Sequence, residues 1–123
     1  MHIKQILLIL AFLCYVPHNS VYANPAIFQK DYNTASKIAN ELKQDMILIF
    51  TASWCGPCQN LKRDLTKYVD YFKDTTICIV DIDEQPQLAR KYGVNKVPYS
   101  IFYSKGKKIK SVVGYSNIDK FRK

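Results

Sequence analysis

The chain has 123 residues, a formal net charge of +8, 48% hydrophobic residues and 23% charged residues. That length carries one domain at most. The composition excludes a disordered chain, and a chain this long buries a modest core without metals or several disulfides.

In chain order, Lys4 supplies a positive start and Ile6 to Val16 form an uninterrupted apolar run of 11 residues. Pro17, His18, Asn19 and Ser20 follow, and then Val21-Tyr22-Ala23. Small or acceptable residues three and one before a cut make residues 1–23 a secretory signal peptide, cleaved after Ala23. The alternative is an uncleaved anchor, but the run is well short of the roughly 20 residues that a spanning helix needs. A lipid anchor on Cys14 is disfavoured by the bulky Leu13. The expectation is an exported domain over 24–123 with a formal charge of about +7, in the periplasm or an equivalent extracytoplasmic compartment, without stable membrane insertion.

Within that domain, Ala26–Phe28 reads as a short edge strand. Tyr32, Ala35, Ile38, Ala39 and Leu42 recur at helical spacing and predict an amphipathic helix over 32–43. Met46 to Phe50 is a short continuous apolar run, the pattern of a strand buried on both faces. Behind Pro57, the residues Leu61, Leu65, Tyr68, Val69 and Phe72 predict a helix running to about 72. Ile77 to Ile82 is a second buried strand. Pro86 opens a short helix and Gly93 closes it. Tyr99–Tyr103 and Lys108–Val113 form a hairpin around Lys105-Gly106, and Asn117 caps a last short helix that stops at Lys123. This order predicts an α/β domain with a central mixed sheet flanked by helices, its first two buried strands parallel through a right-handed crossover. The lysines at 105, 107, 108 and 110 read as a solvated edge that discourages strand pairing. The other reading, contact with nucleic acid or an anionic membrane, is disfavoured, and no nucleic-acid partner is expected.

Cys55 and Cys58 lie between the first buried strand and the helix behind it. A structural zinc site needs four ligands, whereas His2 and His18 fall in the signal segment and Cys78 is alone on a strand, so no metal is expected. A c-type haem needs His after the second Cys, and position 59 is Gln. A bridge over two residues constrains almost no chain, so its structural gain is small. Redox chemistry remains. Cys55 at a helix N-terminus meets unpaired N–H groups and the positive end of the helix dipole, which lower a thiol pKa. It is therefore assigned as nucleophile, and Cys58, one turn inside the helix, as the resolving thiol. Pro57 restricts the loop and Gly56 removes bulk where a substrate approaches. Trp54 reads as a flat apolar platform beside the thiol, with a core aromatic as the alternative. Cys78 reads as a small buried apolar residue rather than a third redox thiol.

Trp54-Cys55-Gly56-Pro57-Cys58 resembles the active site of the thioredoxin family. Ala52, Asp83, Lys91-Tyr92-Gly93-Val94, Val97-Pro98 and Gly114 follow in family order, so the likeness covers Asp45 to Lys123. The resemblance implies the thioredoxin fold, a cis-proline at Pro98 facing the dithiol, and backbone hydrogen bonds from Val97 to an extended substrate. Two departures stand out. Ile49 replaces the buried Asp usual six residues before the first Cys, and Ile79 replaces the Lys that commonly pairs with it. Tyr99 stands where Thr is frequent, which predicts a different substrate groove.

The expected activity is thiol–disulfide exchange through a Cys55–Cys58 dithiol or disulfide, with no cofactor beyond those cysteines. The substrates would be other exported cysteine-containing proteins, the direction reduction, and the electron donor a membrane disulfide-interchange protein. A disulfide oxidase or isomerase is the alternative direction. A non-catalytic module that keeps the fold as a binding scaffold is the rival of another class. A monomer is expected.

Overall fold

The computed structural model describes residues 27–122. The signal-peptide reading of residues 1–23 and the beginning of the 24–123 domain lie outside those residues.

Five strands form one sheet in the order β1-β3-β2-β4-β5. The strands are β1 (Ile27–Gln29), β2 (Asp45–Thr51), β3 (Thr75–Asp81), β4 (Tyr99–Ser104) and β5 (Lys107–Val113). The helices are α1 (Tyr32–Leu42), α2 (Gly56–Lys67) and α3 (Pro86–Lys91), with 3-10 turns at Val69–Phe72 and Ile118–Phe121. β2 runs parallel to β3, as the sequence predicts for two apolar strands joined through a helix. β4 is antiparallel to β2, and β5 to β4. This is the mixed α/β sheet flanked by helices that the sequence predicts.

Both faces of β2 are covered, and alternation sorts its residues between them. Ile47 and Ile49 pack with Leu61 and Leu65 of α2, Ile77, Phe102 and Phe121. Met46, Leu48 and Phe50 pack with Ala35 and Ala39 of α1, Ala89 of α3 and Val80. The small alanines let α1 sit close to the sheet. Asp31 caps α1 by accepting the Thr34 N–H at 2.8 Å, and the Thr34 hydroxyl, donating at 2.6 Å, lowers the Asp31 carboxyl pKa more than that N–H does.

The structure corrects three boundaries. The first strand is Ile27–Gln29 rather than Ala26–Phe28. The helix behind Pro57 ends at Lys67, where Tyr68 leaves helical dihedrals (φ −104°, ψ 31°), and a 3-10 turn carries Phe72 into the core. Sequence periodicity misses that break because Leu65, Tyr68, Val69 and Phe72 keep helical spacing through it. Asn117 does cap the last turn, by accepting the Asp119 N–H, but the turn is 3-10 and ends at Phe121. In the hairpin, Lys105 and Gly106 both take positive φ (51° and 76°), the geometry of a two-residue primed turn.

Leu61 is fully buried at the centre of the α2 face. Leu61→Ala is expected to cost about 2–5 kcal/mol, measured by urea unfolding of the reduced and oxidised proteins. A loss within experimental error of zero would contradict this packing.

Candidate active site

The chain leaves the sheet at Thr51 and enters α2 five residues later, so the cysteine motif sits on the C-terminal edge of β2. Ala52, which is fully buried, packs against both cysteines, and its carbonyl accepts the Cys55 N–H at 3.2 Å. Cys55 is the N-cap residue of α2, in extended conformation, and its sulfur accepts the Cys58 N–H at 3.2 Å. A capping sulfur therefore replaces the oxygen of Ser or Asp, satisfying one of the free donors at the helix start. The same N–H and the dipole behind it favour negative charge on that sulfur once the bond to Cys58 is reduced. Pro57 falls in the first turn, where its missing N–H leaves no intrahelical bond unmade.

Cys55 and Cys58 are joined as a disulfide with Cα atoms 5.3 Å apart. Cys58 is fully buried and Cys55 is 6% exposed, so Cys55 is the member of the pair that reaches the surface. The Val97–Pro98 peptide is cis, as the resemblance implies, and the Val97 carbonyl oxygen lies 3.6 Å from Cys55 Sγ. Gly114 donates its N–H to the Pro98 carbonyl at 2.8 Å, which ties this segment to the end of β5. Val97 and Ile82 pack on the dithiol from the side.

Trp54 is 69% exposed, which excludes the core-aromatic alternative. Its indole N–H donates to Asp83 at 2.9 Å, which fixes the ring's orientation. A Cβ built on Gly56 meets nothing within 4 Å, so the space above residue 56 is free for an approaching chain. Tyr99 stacks on Phe50, ring centroids 6.4 Å apart, which places its ring on the α1 side of the sheet.

The structure brings Cys55, Cys58, Val97 and Pro98 together, with Trp54, Gly56 and Pro57 on the exposed rim. Sequence reasoning missed three contributors. Asp83 was legible as a landmark of the resemblance, but its bond to Trp54 spans 29 positions. Thr51 and Ser100, read only as parts of strands, are both fully buried beneath the site. Ile49 is fully buried and faces Ile79 across the β2–β3 pairing, so no acid occupies that position. Among the described residues, no cluster of His, Cys, Asp and Glu is suited to a metal ion, and no helix is long and apolar enough to cross a membrane.

Cys78 lies on the other face of the sheet, with Leu48, Phe50 and Val80. Burial, with the Asp31 carboxylate adding to it, pushes its thiol up to about 12. In the reduced protein near neutral pH, iodoacetamide should therefore label Cys55 first and leave Cys78 intact until denaturant is added. Mass spectrometry finding Cys78 labelled in the native protein would contradict this placement.

Comparison with known proteins gives a consistent result. The sequence profile of the thioredoxin family matches residues 26–123. Thioredoxin H2 of Arabidopsis thaliana is 32% identical over 78 residues, covering 61% of this chain and 59% of that relative's length. Thioredoxin-1 of Schizosaccharomyces pombe is 30% identical over 87 residues, covering 69% of this chain and 84% of its own length. Among solved structures, a mutant thioredoxin from Halobacterium salinarum NRC-1 superposes with a TM-score of 0.67 at 26% identity, covering 80% of this chain and 85% of the other. Oxidised thioredoxin O2 of Arabidopsis thaliana gives 0.63 at 28% identity, covering 76% and 85%.

Proposed function

The chain belongs to the thioredoxin family and is a thiol–disulfide oxidoreductase built on Cys55 and Cys58, and we propose that it acts as a protein-disulfide reductase outside the cytosol. The observation that carries the chemistry is the capping geometry: Cys55 sulfur sits at the start of α2, accepts the Cys58 N–H and faces the Val97 backbone. Gly56-Pro57 between the cysteines resembles the reducing members of the family, whose potentials lie near about −270 mV. Export is supported by Lys4, the apolar run from Ile6 to Val16 and the Val21-Tyr22-Ala23 triplet.

In the reductive direction, an extended substrate segment lies along Val97 in the manner of strand addition, beside the Trp54 platform. The Cys55 thiolate attacks one sulfur of the substrate disulfide. The substrate S–S bond breaks, one substrate thiolate leaves and takes a proton from solvent, and a mixed disulfide joins Cys55 to the other sulfur. Cys58 then attacks Cys55 Sγ, the mixed disulfide breaks, and the second substrate thiol is released. The protein ends oxidised at Cys55–Cys58 and needs no cofactor beyond that pair. Return to the dithiol requires two electrons from a donor, which for an exported protein is a membrane disulfide-interchange protein. The substrates are cysteine-containing exported proteins.

Wild-type protein should reduce insulin with dithiothreitol as donor, and Cys55→Ser should fall to the uncatalysed rate. Equal rates would remove the enzymatic reading and leave the fold as a binding scaffold. Cys58→Ser should trap mixed disulfides through Cys55, seen by mass spectrometry of exported extracts. Equilibration in glutathione buffers is expected to give a potential near about −270 mV, whereas a value near about −120 mV, that of strong oxidants, would reverse the assigned direction.

A further inference from the structure

In the resolving step Cys58 must lose its proton although it is fully buried beside Ala52, Ile82 and Val97, surroundings that disfavour a thiolate. The position that usually holds a buried acid carries Ile49. Polar groups stand near that position both in the next row of the sheet and in its own row. Thr51, two residues beyond Ile49 on the same face, is the register partner of Asp81 on β3. Ser100 of β4 is the register partner of Ile49 itself. Cross-strand partners share a face, so all three belong to the face covered by α2.

Helix α2 presents Cys58, Leu61 and Leu65 in one buried stripe. Leu61 and Leu65 pack with Ile49 and Ile47 lower on β2, and Cys58 lies about one turn nearer the start of α2 than Leu61, toward the end of β2 that carries Thr51. Thr51 and Ser100 are each fully buried, and their hydroxyls have no hydrogen-bond partner among the described residues. Buried hydroxyls are nearly always bonded, and one that is not calls for a role. Beside Thr51 a cleft of about 310 Å³ is lined by Ile79, Asp81, Lys62, Glu84 and Lys30. Asp81 is held there by its Oδ1, which accepts the N–H groups of Asp83 and Glu84 at 2.8 and 3.3 Å.

We infer that Thr51 and Asp81 stand in for the absent buried acid, with Thr51 passing the Cys58 proton to the Asp81 carboxylate during resolution. The inference rests on the oxidoreductase mechanism above. A hydroxyl accepts one hydrogen while donating its own, so Thr51 conducts the proton without net change; its hydroxyl is bonded to neither Cys58 nor Asp81 in the disulfide form, so the transfers pass through bridging water. Cys58 sulfur bonds to Cys55 sulfur, the bond from Cys55 to the substrate sulfur breaks, and the substrate leaves as thiolate and is protonated by solvent. Asp81 returns its proton through the cleft. The charged groups facing this route are Lys62 from α2, Lys30 from the segment after β1, and Glu84 and Asp81 from the end of β3. Thr51 and Asp81 are positioning residues that act through Cys58.

Reduced protein mixed with Ellman's reagent in a stopped-flow instrument separates the two steps, because Cys55 releases the first thionitrobenzoate and Cys58 the second. Thr51→Val and Asp81→Asn should leave the first release unchanged. They should slow the second near neutral pH on the order of 10- to 100-fold, at or below the lower end of what general bases supply, and move its pH midpoint upward. The double variant should be no slower than the slower single variant, since both act on one route, and Thr51→Ser should keep the wild-type profile. Asp81→Asn retains an oxygen for the Asp83 and Glu84 N–H groups, so it tests the charge with the turn intact. A second release whose rate and pH midpoint are wild-type in both single variants would overturn the inference. Absence of the first release in the wild-type protein would overturn the oxidoreductase mechanism instead.

Discussion

Strand β2 has no solvent-facing side. Its odd-numbered core residues lie under α2 and its even-numbered ones under α1, so a slip of one residue against β3 or β4 would exchange its two sets of neighbours. The register is therefore fixed by shape on both faces at once. Because β2 is also central in the sheet, everything at its C-terminal end inherits that rigidity: Ala52 beneath the dithiol, Cys55 at the start of α2, and, through the antiparallel pairing with β4, Pro98 opposite. The separation of Cys55 and Val97 is a property of this register rather than of the loops that carry them.

The dithiol itself is placed where backbone polarity replaces side-chain charge. Among the described residues no ionised side chain bonds to either sulfur; the Cys58 N–H and the helix behind it supply the positive field, and the Val97 carbonyl limits the approach from the other side. Two sulfurs of one disulfide thus differ in environment. Cys55 touches solvent and a helix start, whereas Cys58 is closed in by apolar groups. That asymmetry gives the proposed division of labour, attack by Cys55 and resolution by Cys58, its physical basis.

The sequence makes the frame of this protein readable where the physics is local. Met46 to Phe50 announces a doubly buried strand by having no polar alternation, and Pro86, Gly93 and Lys105-Gly106 mark turns through backbone geometry. Cys55 and Cys58 are legible because few other uses fit two cysteines at that spacing with no further ligands. The approach of Val97 and Pro98 to them is legible only through resemblance, since 42 positions separate Val97 from Cys55 and no periodicity links them. The bond between Trp54 and Asp83 and the pairing of Thr51 with Asp81, one row beyond Ile49 and Ser100, depend on tertiary register, and a threonine ending a strand looks unremarkable without its neighbours. The end of α2 was missed for the opposite reason, since a 3-10 turn continues the spacing of the helix while changing its path.

Strand β5 gives the sheet its outer edge, and it leaves Ile109 and Val113 exposed among Lys105, Lys107 and Lys108. An apolar edge of this kind would invite a second molecule to extend the sheet, and the lysines oppose it by setting like charges against one another when two such edges meet. The repulsion acts sideways, along the direction in which strands add, while the disulfide opens at the end of the strands. The like charges and the dithiol thus occupy different sides of one small domain, so the edge that discourages strand addition is separate from the end of the sheet that carries the disulfide.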